Sequence, residues 1–281
     1  MLGGAVLNLL LAGGHEVRCL VREGSPHASR LDPWIELVRG DAGDAGGLSR
    51  ALSGMDALLH IAGIKYAPQV VEAARRAKVE RLVVVSSTSA HSAYDFRSGP
   101  KLRMEKVVRE SGVDYTIVRP TMIYGSELDK NLHRLLRFLD RSPVFPVFGS
   151  GENLWQPVYH EDCAKGVYEA LVQPAAVGES YDLPGAEPLT YLELVKTAAG
   201  ALERKPRIVR LPLEPMRRTL AAAERLRLPL PIKSEQVLRL REDKAYPYDK
   251  AKRDLGYAPR PFREGIALEV ARLRELGMLR P

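Results

Sequence analysis

Along the first half of the chain, short apolar runs alternate with stretches whose apolar residues recur at helical spacing. Leu2, Val6, Leu9 and Leu10 share one face of a helix that Gly13-Gly14 ends. Residues 15–22 (HEVRCLVR) alternate as a strand does, and residues 36–41 give a second, shorter one. Leu48, Ala51, Leu52 and Met55 carry the spacing of a helix packed on a sheet, and residues 56–62 (DALLHIA) form the next buried strand. Val70, Ala74 and Ala77 stripe a further helix. Strands alternating with helices in this order predict an α/β fold with right-handed crossovers, a doubly wound parallel sheet of the Rossmann type.

The most informative stretch runs from Arg81 to Gly125. Arg81–Val85 is an uninterrupted β-branched run, as expected of a strand buried on both faces. It ends in Ser86-Ser87-Thr88-Ser89, placing hydroxyls at the strand's carboxyl end, where open α/β sheets bind ligands. Ser98 is expected to cap the next helix with Pro100 in its first turn. Met104, Val107, Val108 and Ser111 then share a stripe, and Gly112 is the expected stop. A second buried strand follows at residues 115–118 and closes on Arg119-Pro120.

From Pro143 the pattern changes to Pro, Gly and aromatic residues, which suit loops and short strands lining a pocket. Helices are expected over residues 161–172 and 190–202, strands over 180–183 and 206–213, and a mainly helical remainder ending in the Ile266, Val270 and Leu273 stripe.

Composition narrows the function classes. No apolar run approaches the roughly 20 residues of a membrane span. The apolar start lacks a basic leader and carries Asn8, so it is not read as a signal peptide. Cys19 and Cys163 make no disulfide framework, and a reduced, cytoplasmic protein is the simpler reading. A net charge of +7 favours phosphorylated ligands over long range. The basic residues after Lys196 interleave with Glu and Asp as on a solvated helix face, which argues against a nucleic-acid partner.

The stretch from Arg81 to Gly125 resembles the extended short-chain dehydrogenase/reductase family, which includes NAD(P)-dependent sugar-nucleotide epimerases and dehydratases. The likeness lies in the hydroxyl-rich strand end, the helix carrying Lys101, and Arg119-Pro120 followed by Tyr124-Gly125. It implies that Thr88 and Lys101 are catalytic, with Thr88 orienting a substrate oxygen and Lys101 gripping the nicotinamide ribose, beside Pro120 in the cofactor site. Arg97 stands where the family has its catalytic tyrosine, and arginine cannot cycle a proton. The implied activity is that of an epimerase, dehydratase or reductase on a nucleotide sugar or similar small hydroxyl or carbonyl substrate. The alternative is a non-catalytic NAD(P)H-binding sensor or accessory subunit of a redox assembly.

Further positions follow from the same resemblance. Gly3 matches the last glycine of the dinucleotide turn, where helix and sheet approach closely; the preceding strand and first two glycines have no counterpart, and roughly ten residues upstream would supply them. That strand would lie between HEVRCLV and DALLHI. Arg22 favours a 2′-phosphate, hence NADP over NAD, or is a surface arginine. Asp41 accepts from adenine or shapes a turn. Ala62 and Gly63 form the small corner beside the cofactor or end a strand. Lys101 could instead pair with Glu105 one turn on. Asn131 contacts substrate phosphate or caps a helix. His160-Glu161-Asp162-Cys163 are adjacent and lack metal-ligand spacing, so no metal is expected. A dinucleotide-binding domain over 1–173, with 143–160 contributing to the substrate pocket, and a small α+β substrate-binding part over 174–281 complete the expectation.

Overall fold

The computed structural model describes residues 1–25, 28, 34–129, 131–213, 215 and 242–280. In chain order the main elements are helix α1 (Leu2–Ala12), strands β1 (Arg18–Val21) and β2 (Glu36–Arg39), α2 (Ala45–Ala51), β3 (Ala57–His60), α3 (Ala67–Ala77) and β4 (Arg81–Val85). Next come α4 (Asp95–Arg109), β5 (Asp114–Pro120), β6 (Ile123–Tyr124), α5 (Leu132–Arg141), β7 (Val144–Phe148), β8 (Leu154–Trp155), β9 (Val158–Tyr159) and α6 (His160–Val172). The chain continues through β10 (Glu179–Leu183), β11 (Leu189–Thr190), α7 (Tyr191–Ala201), β12 (Arg207–Leu211), α8 (Asp249–Leu255) and α9 (Phe262–Glu275). The helical remainder expected after residue 213 falls partly on 214 and 216–241, which lie outside the described residues.

Two compact units interleave along the chain: Met1–Thr121 with His160–Pro184 and Pro247–Pro259, and Met122–Tyr159 with Gly185–Tyr246 and Arg260–Pro281. The single division expected at 173/174 gives way to this exchange because β10 pairs in parallel with β5, Tyr181 opposite Val118. A strand assigned to the C-terminal part from its position in the sequence therefore belongs to the first unit's sheet.

In the first unit, β10-β5-β4-β3 form a four-stranded parallel sheet, and β1-β2 form a separate parallel pair. β4 is buried from Leu82 to Val85, whereas β1 is half-buried throughout, as is most of β3. Leu82, Val84 and Ile117 point into a core with Val70, Ala74 and Val108, under α2, α3 and α4. On the sheet's other face α6 packs against β4 and β5, with α1 beside it. Gly166 allows that packing, since a Cβ there would lie 2.9 Å from Leu183 and 3.0 Å from Tyr257.

Helix α4 begins four residues earlier than expected, with Tyr94 rather than Ser98 at its N-cap. The Tyr94 carbonyl accepts from the amides of Arg97 and Ser98, so the chain is already helical at Asp95 and Pro100 lies inside the helix. Its missing N–H falls opposite the Phe96 carbonyl, on a residue exposed to water.

The second unit holds its own core, in which Leu136, Leu139, Leu194, Leu202, Ile266 and Leu273 from α5, the α7 segment and α9 meet Tyr124 and Phe145. A capping box starts α7: Glu193 N donates to Thr190 Oγ1, and Thr190 N donates to Glu193. Asp129, buried, caps α5 by accepting from the amides of Asn131, Leu132 and His133 at 2.6, 3.2 and 3.0 Å. Close by, Glu269 of α9 is completely buried and neither of its oxygens has a hydrogen-bond partner among the described residues. Burial, and then the Asp129 carboxylate, push its pKa up to about 9, with the Gly125 amide pulling the other way.

A carboxyl group whose folded pKa is raised favours the fold fully below its unfolded value and loses that contribution as pH climbs toward the folded one. Glu269→Gln should therefore melt above the wild type at pH 8. The advantage should shrink by up to about 1.4 kcal/mol per pH unit on descending to pH 4.5. A difference between the two proteins that stays flat across a thermal melting series over this range would show that Glu269 is not held protonated.

Candidate functional site

The carboxyl ends of β3, β4, β5 and β10 bring together the polar residues of the first unit. After β4 the chain turns through Ser86 and Ser87 into a short 3-10 turn, Thr88–His91, against which α4 packs. Thr88 is buried, and its hydroxyl donates to the Pro120 carbonyl at the end of β5, at 3.4 Å. Two of the expected site residues, Thr88 and Pro120, are thus joined directly.

The centre of the site is a residue that the sequence analysis named only as an alternative partner for Lys101. Glu105 is completely buried and accepts four hydrogen bonds, from Arg119 Nε (2.8 Å) and Nη2 (2.7 Å), Arg109 Nη2 (2.9 Å) and Ser86 Oγ (2.7 Å). Burial works against its charge, but the Arg119 guanidinium, the Ser86 hydroxyl and Arg109 outweigh it and hold the carboxyl below the usual range. Burial likewise opposes the charge on Arg119, and Glu105 and Asp182 reverse that effect, so the guanidinium is held above its usual range. Arg119 Nη1 stands 3.7 Å from Asp182 Oδ1 on the neighbouring strand β10. Asp182 in turn meets His91 Nε2, at 2.9 and 3.1 Å from its two oxygens. A continuous chain of ion pairs and hydrogen bonds therefore runs Ser86, Glu105, Arg119, Asp182, His91.

Lys101 does not pair with Glu105. It is half-buried on the stripe of α4 that also carries Ser98, Glu105 and Val108, away from the exposed Leu102, Arg103 and Lys106. Its amine makes no hydrogen bond or ion pair to any described residue. Arg97 lies one turn before it, also half-buried.

The remaining expected positions are distributed as follows. Arg22 and Asp41, both exposed, follow the carboxyl ends of β1 and β2. Asp41 shapes a turn, its Oδ1 accepting from Gly43 N at 2.7 Å, and α2 is capped instead by Asp44. Ala62 and Gly63 follow β3, and Gly63 has φ +109°, a conformation that glycine adopts without strain. The Gly63 carbonyl lies 3.0 Å from Nε2 of His60, whose pKa burial lowers despite that contact. Gly3 lies in the exposed first turn of α1, and a Cβ there would meet nothing within 4 Å, so the close helix–sheet approach expected at this glycine is not present. Asn131 belongs to the second unit and precedes α5 without a side-chain capping bond, because Asp129 takes that role. A cavity of about 470 Å³ lies at the opposite, amino-terminal ends of β1 and β2, lined by Val17, Arg18, Ile35 and Glu36, remote from these groups.

Strand tips bearing hydroxyls and small residues form a surface suited to a dinucleotide. Residues 1–137 match the family described as NAD(P)H-binding. Among curated proteins the chain is similar to ceramide reductase of Caulobacter vibrioides, 28% identical over 225 residues, covering 75% of this chain and 70% of that protein. It is also similar to the mitochondrial NADH dehydrogenase [ubiquinone] 1 alpha subcomplex subunit 9 of Arabidopsis thaliana. That match is 30% identical over 144 residues, half of this chain and 35% of that protein. Among solved structures, a nucleoside-diphosphate-sugar epimerase from Pseudomonas aeruginosa superposes with TM-score 0.78, covering 99% of this chain and 96% of that one, at 19% identity. That likeness is one of fold. No helix among the described residues is long and apolar enough to cross a membrane.

Removing the charge from Glu105 leaves the buried Arg119 with only the longer Asp182 contact, and breaking a buried pair costs about 3–5 kcal/mol. Glu105→Gln should lower the denaturant midpoint accordingly. The depressed pKa makes the wild-type contribution complete above the ordinary carboxylate range and lost as pH falls through the folded value. The gap between the two proteins should therefore close on acidification. A variant as stable as the wild type at pH 7 would remove Glu105 from the centre of the site.

Proposed function

We propose that the chain is an NAD(P)-dependent oxidoreductase or epimerase acting on a hydroxyl or carbonyl carbon of a small molecule, with a nucleotide sugar as the favoured substrate class. The observation that carries this reading is Lys101, a half-buried lysine on the inward stripe of α4 with no partner among the described residues. An ammonium with three donors and no protein acceptor among the described residues can take its acceptors from a ligand. Ribose hydroxyls of a dinucleotide are such acceptors. When bound, the nicotinamide would supply or accept hydride. Lys101 would hold its ribose, with Gly63 and Pro120 beside it, and the Thr88 hydroxyl would turn from the Pro120 carbonyl to orient the substrate oxygen. Gly3, at the start of α1, would face the pyrophosphate, Asp41 the adenine and Arg22 the adenosine ribose, where a guanidinium favours the 2′-phosphate of NADP. Asn131 is assigned to the substrate's phosphate.

A second reading rests on Arg97. With arginine at the family's tyrosine position, the chain would bind NAD(P)H without turnover, as an accessory subunit of a redox assembly. The likeness to an NADH dehydrogenase subunit supports it.

Fluorescence titration with NADPH and NADH tests the shared part of both readings. NADPH should bind more tightly than NADH, and Arg22→Ala should erase the difference. Lys101→Ala should weaken both by about tenfold or more, the loss of one charge-assisted hydrogen bond, with its melting temperature unchanged. Unaltered affinity in Lys101→Ala would refute the assignment. Turnover on a carbonyl panel that includes a nucleotide sugar then separates the enzyme from the binder.

A further inference from the structure

Helix α5, in the second unit, leaves Arg134, Arg137, Phe138 and Arg141 exposed. Their i, i+3, i+4, i+7 spacing puts all four on one stripe of the helix. We propose that this stripe is a docking surface for an anionic phospholipid membrane, on which the protein lies without crossing it. The proposal stands independently of the oxidoreductase reading.

Three observations carry it. First, none of Arg134, Arg137 and Arg141 makes an ion pair or hydrogen bond to a described residue. Elsewhere the chain pairs surface cations with carboxylates, as in Glu72–Arg76 on α3, Lys106–Glu110 on α4 and Glu127–Arg272. On α5, Arg137 instead has Arg134 and Arg141 at i−3 and i+4, spacings at which like charges repel. The helix's acidic residue, Asp140, is buried off the stripe and accepts from Arg204 Nη2 and the Arg280 amide, so it neutralises none of the three. The field of the stripe reaches buried His133, whose pKa is lowered first by burial and then by Arg137, with Arg134 adding to it and Asp129 and Glu127 opposing.

Second, the stripe has an apolar centre. Phe138 is 44% exposed, and its ring is steadied edge-on against Phe145 of β7, centroids 5.6 Å apart. Phe145 pairs with the half-buried Ile208 of β12, and two residues on, along the same face of that strand, Arg210 is exposed and also has no ionic partner among the described residues. An aromatic ring surrounded by guanidinium groups suits the headgroup boundary, where the ring enters the acyl edge and the guanidinium forks meet lipid phosphates.

Third, the residue types on the stripe discriminate among polyanions. Single-stranded nucleic acid is held by stacking on successive aromatic rings, and the stripe has one. Duplex DNA engages amide and hydroxyl side chains along with cations, and the stripe carries no Asn, Gln, Ser or Thr.

Co-sedimentation of the full chain with extruded vesicles tests the proposal. The wild type should bind vesicles of equal parts phosphatidylglycerol and phosphatidylcholine, ignore phosphatidylcholine alone, and be released by high salt. Replacing Arg134, Arg137 and Arg141 together by Gln should lower the partition coefficient roughly 100-fold, about fivefold for each charge removed. Phe138→Ser should lower it about tenfold with the charge unchanged. Thermal melts confirm that both variants fold. The control Lys165→Gln with Lys252→Gln removes two exposed, unpaired charges from the first unit and should leave partitioning as it was. No binding to the anionic vesicles, or a loss in the control as large as in the arginine variant, would overturn the proposal. So would tighter binding to a duplex oligonucleotide than to the vesicles, unaltered by Phe138→Ser, which would assign the face to nucleic acid instead.

Discussion

The buried ion pair between Glu105 and Arg119 is the constraint on which the candidate site depends. It joins α4 to the end of β5, and through Ser86 it also reaches the end of β4. A carboxylate with no exposure is tolerated only when its lone pairs are filled, and here four donors fill them. The consequence is geometric: the helix carrying Lys101 and the turn carrying Thr88 and His91 are held against the same strand ends. Arg119 then extends the network to Asp182, so three parallel strands contribute to one arrangement of charges.

This constraint also explains what Lys101 is left to do. Glu105 stands at the helical spacing that would suit a pair with either Lys101 or Arg109, and it takes Arg109 together with Arg119. Lys101 remains on the inward stripe with no protein partner among the described residues. The proposed cofactor contact thus follows from saturation of its neighbour as much as from the lysine itself.

Much of the first unit was legible in the sequence, because local pattern decided it. The run Arg81–Val85 is a strand to the residue, since the four consecutive apolar residues Leu82–Val85 have no solvent face and admit little else. What local pattern could not supply was non-local pairing: β10 joins β5 from across two other stretches of chain, so the division into units does not follow sequence order. Helix α4 was read as starting late because Pro100 suits a first turn, whereas the Tyr94 carbonyl had already gathered two amides. Glu105 was named only as an alternative partner for Lys101, because its spacing from Lys101 imitates a solvent pair. The signal against that reading was present, since Glu105 lies one turn from buried Val108 on the same stripe. His91 and Asp182 carried no such signal: they are 91 positions apart and meet only through the sheet.

The central claim is that a nicotinamide dinucleotide lies across these strand tips with its ribose on Lys101. A crystal structure of the chain grown with NADPH tests it most directly. The account predicts the nicotinamide ribose hydroxyls within about 3 Å of Lys101 Nζ, with the nicotinamide ring beside the Thr88–His91 turn. A dinucleotide bound elsewhere, with the Lys101 amine directed into solvent, would contradict it.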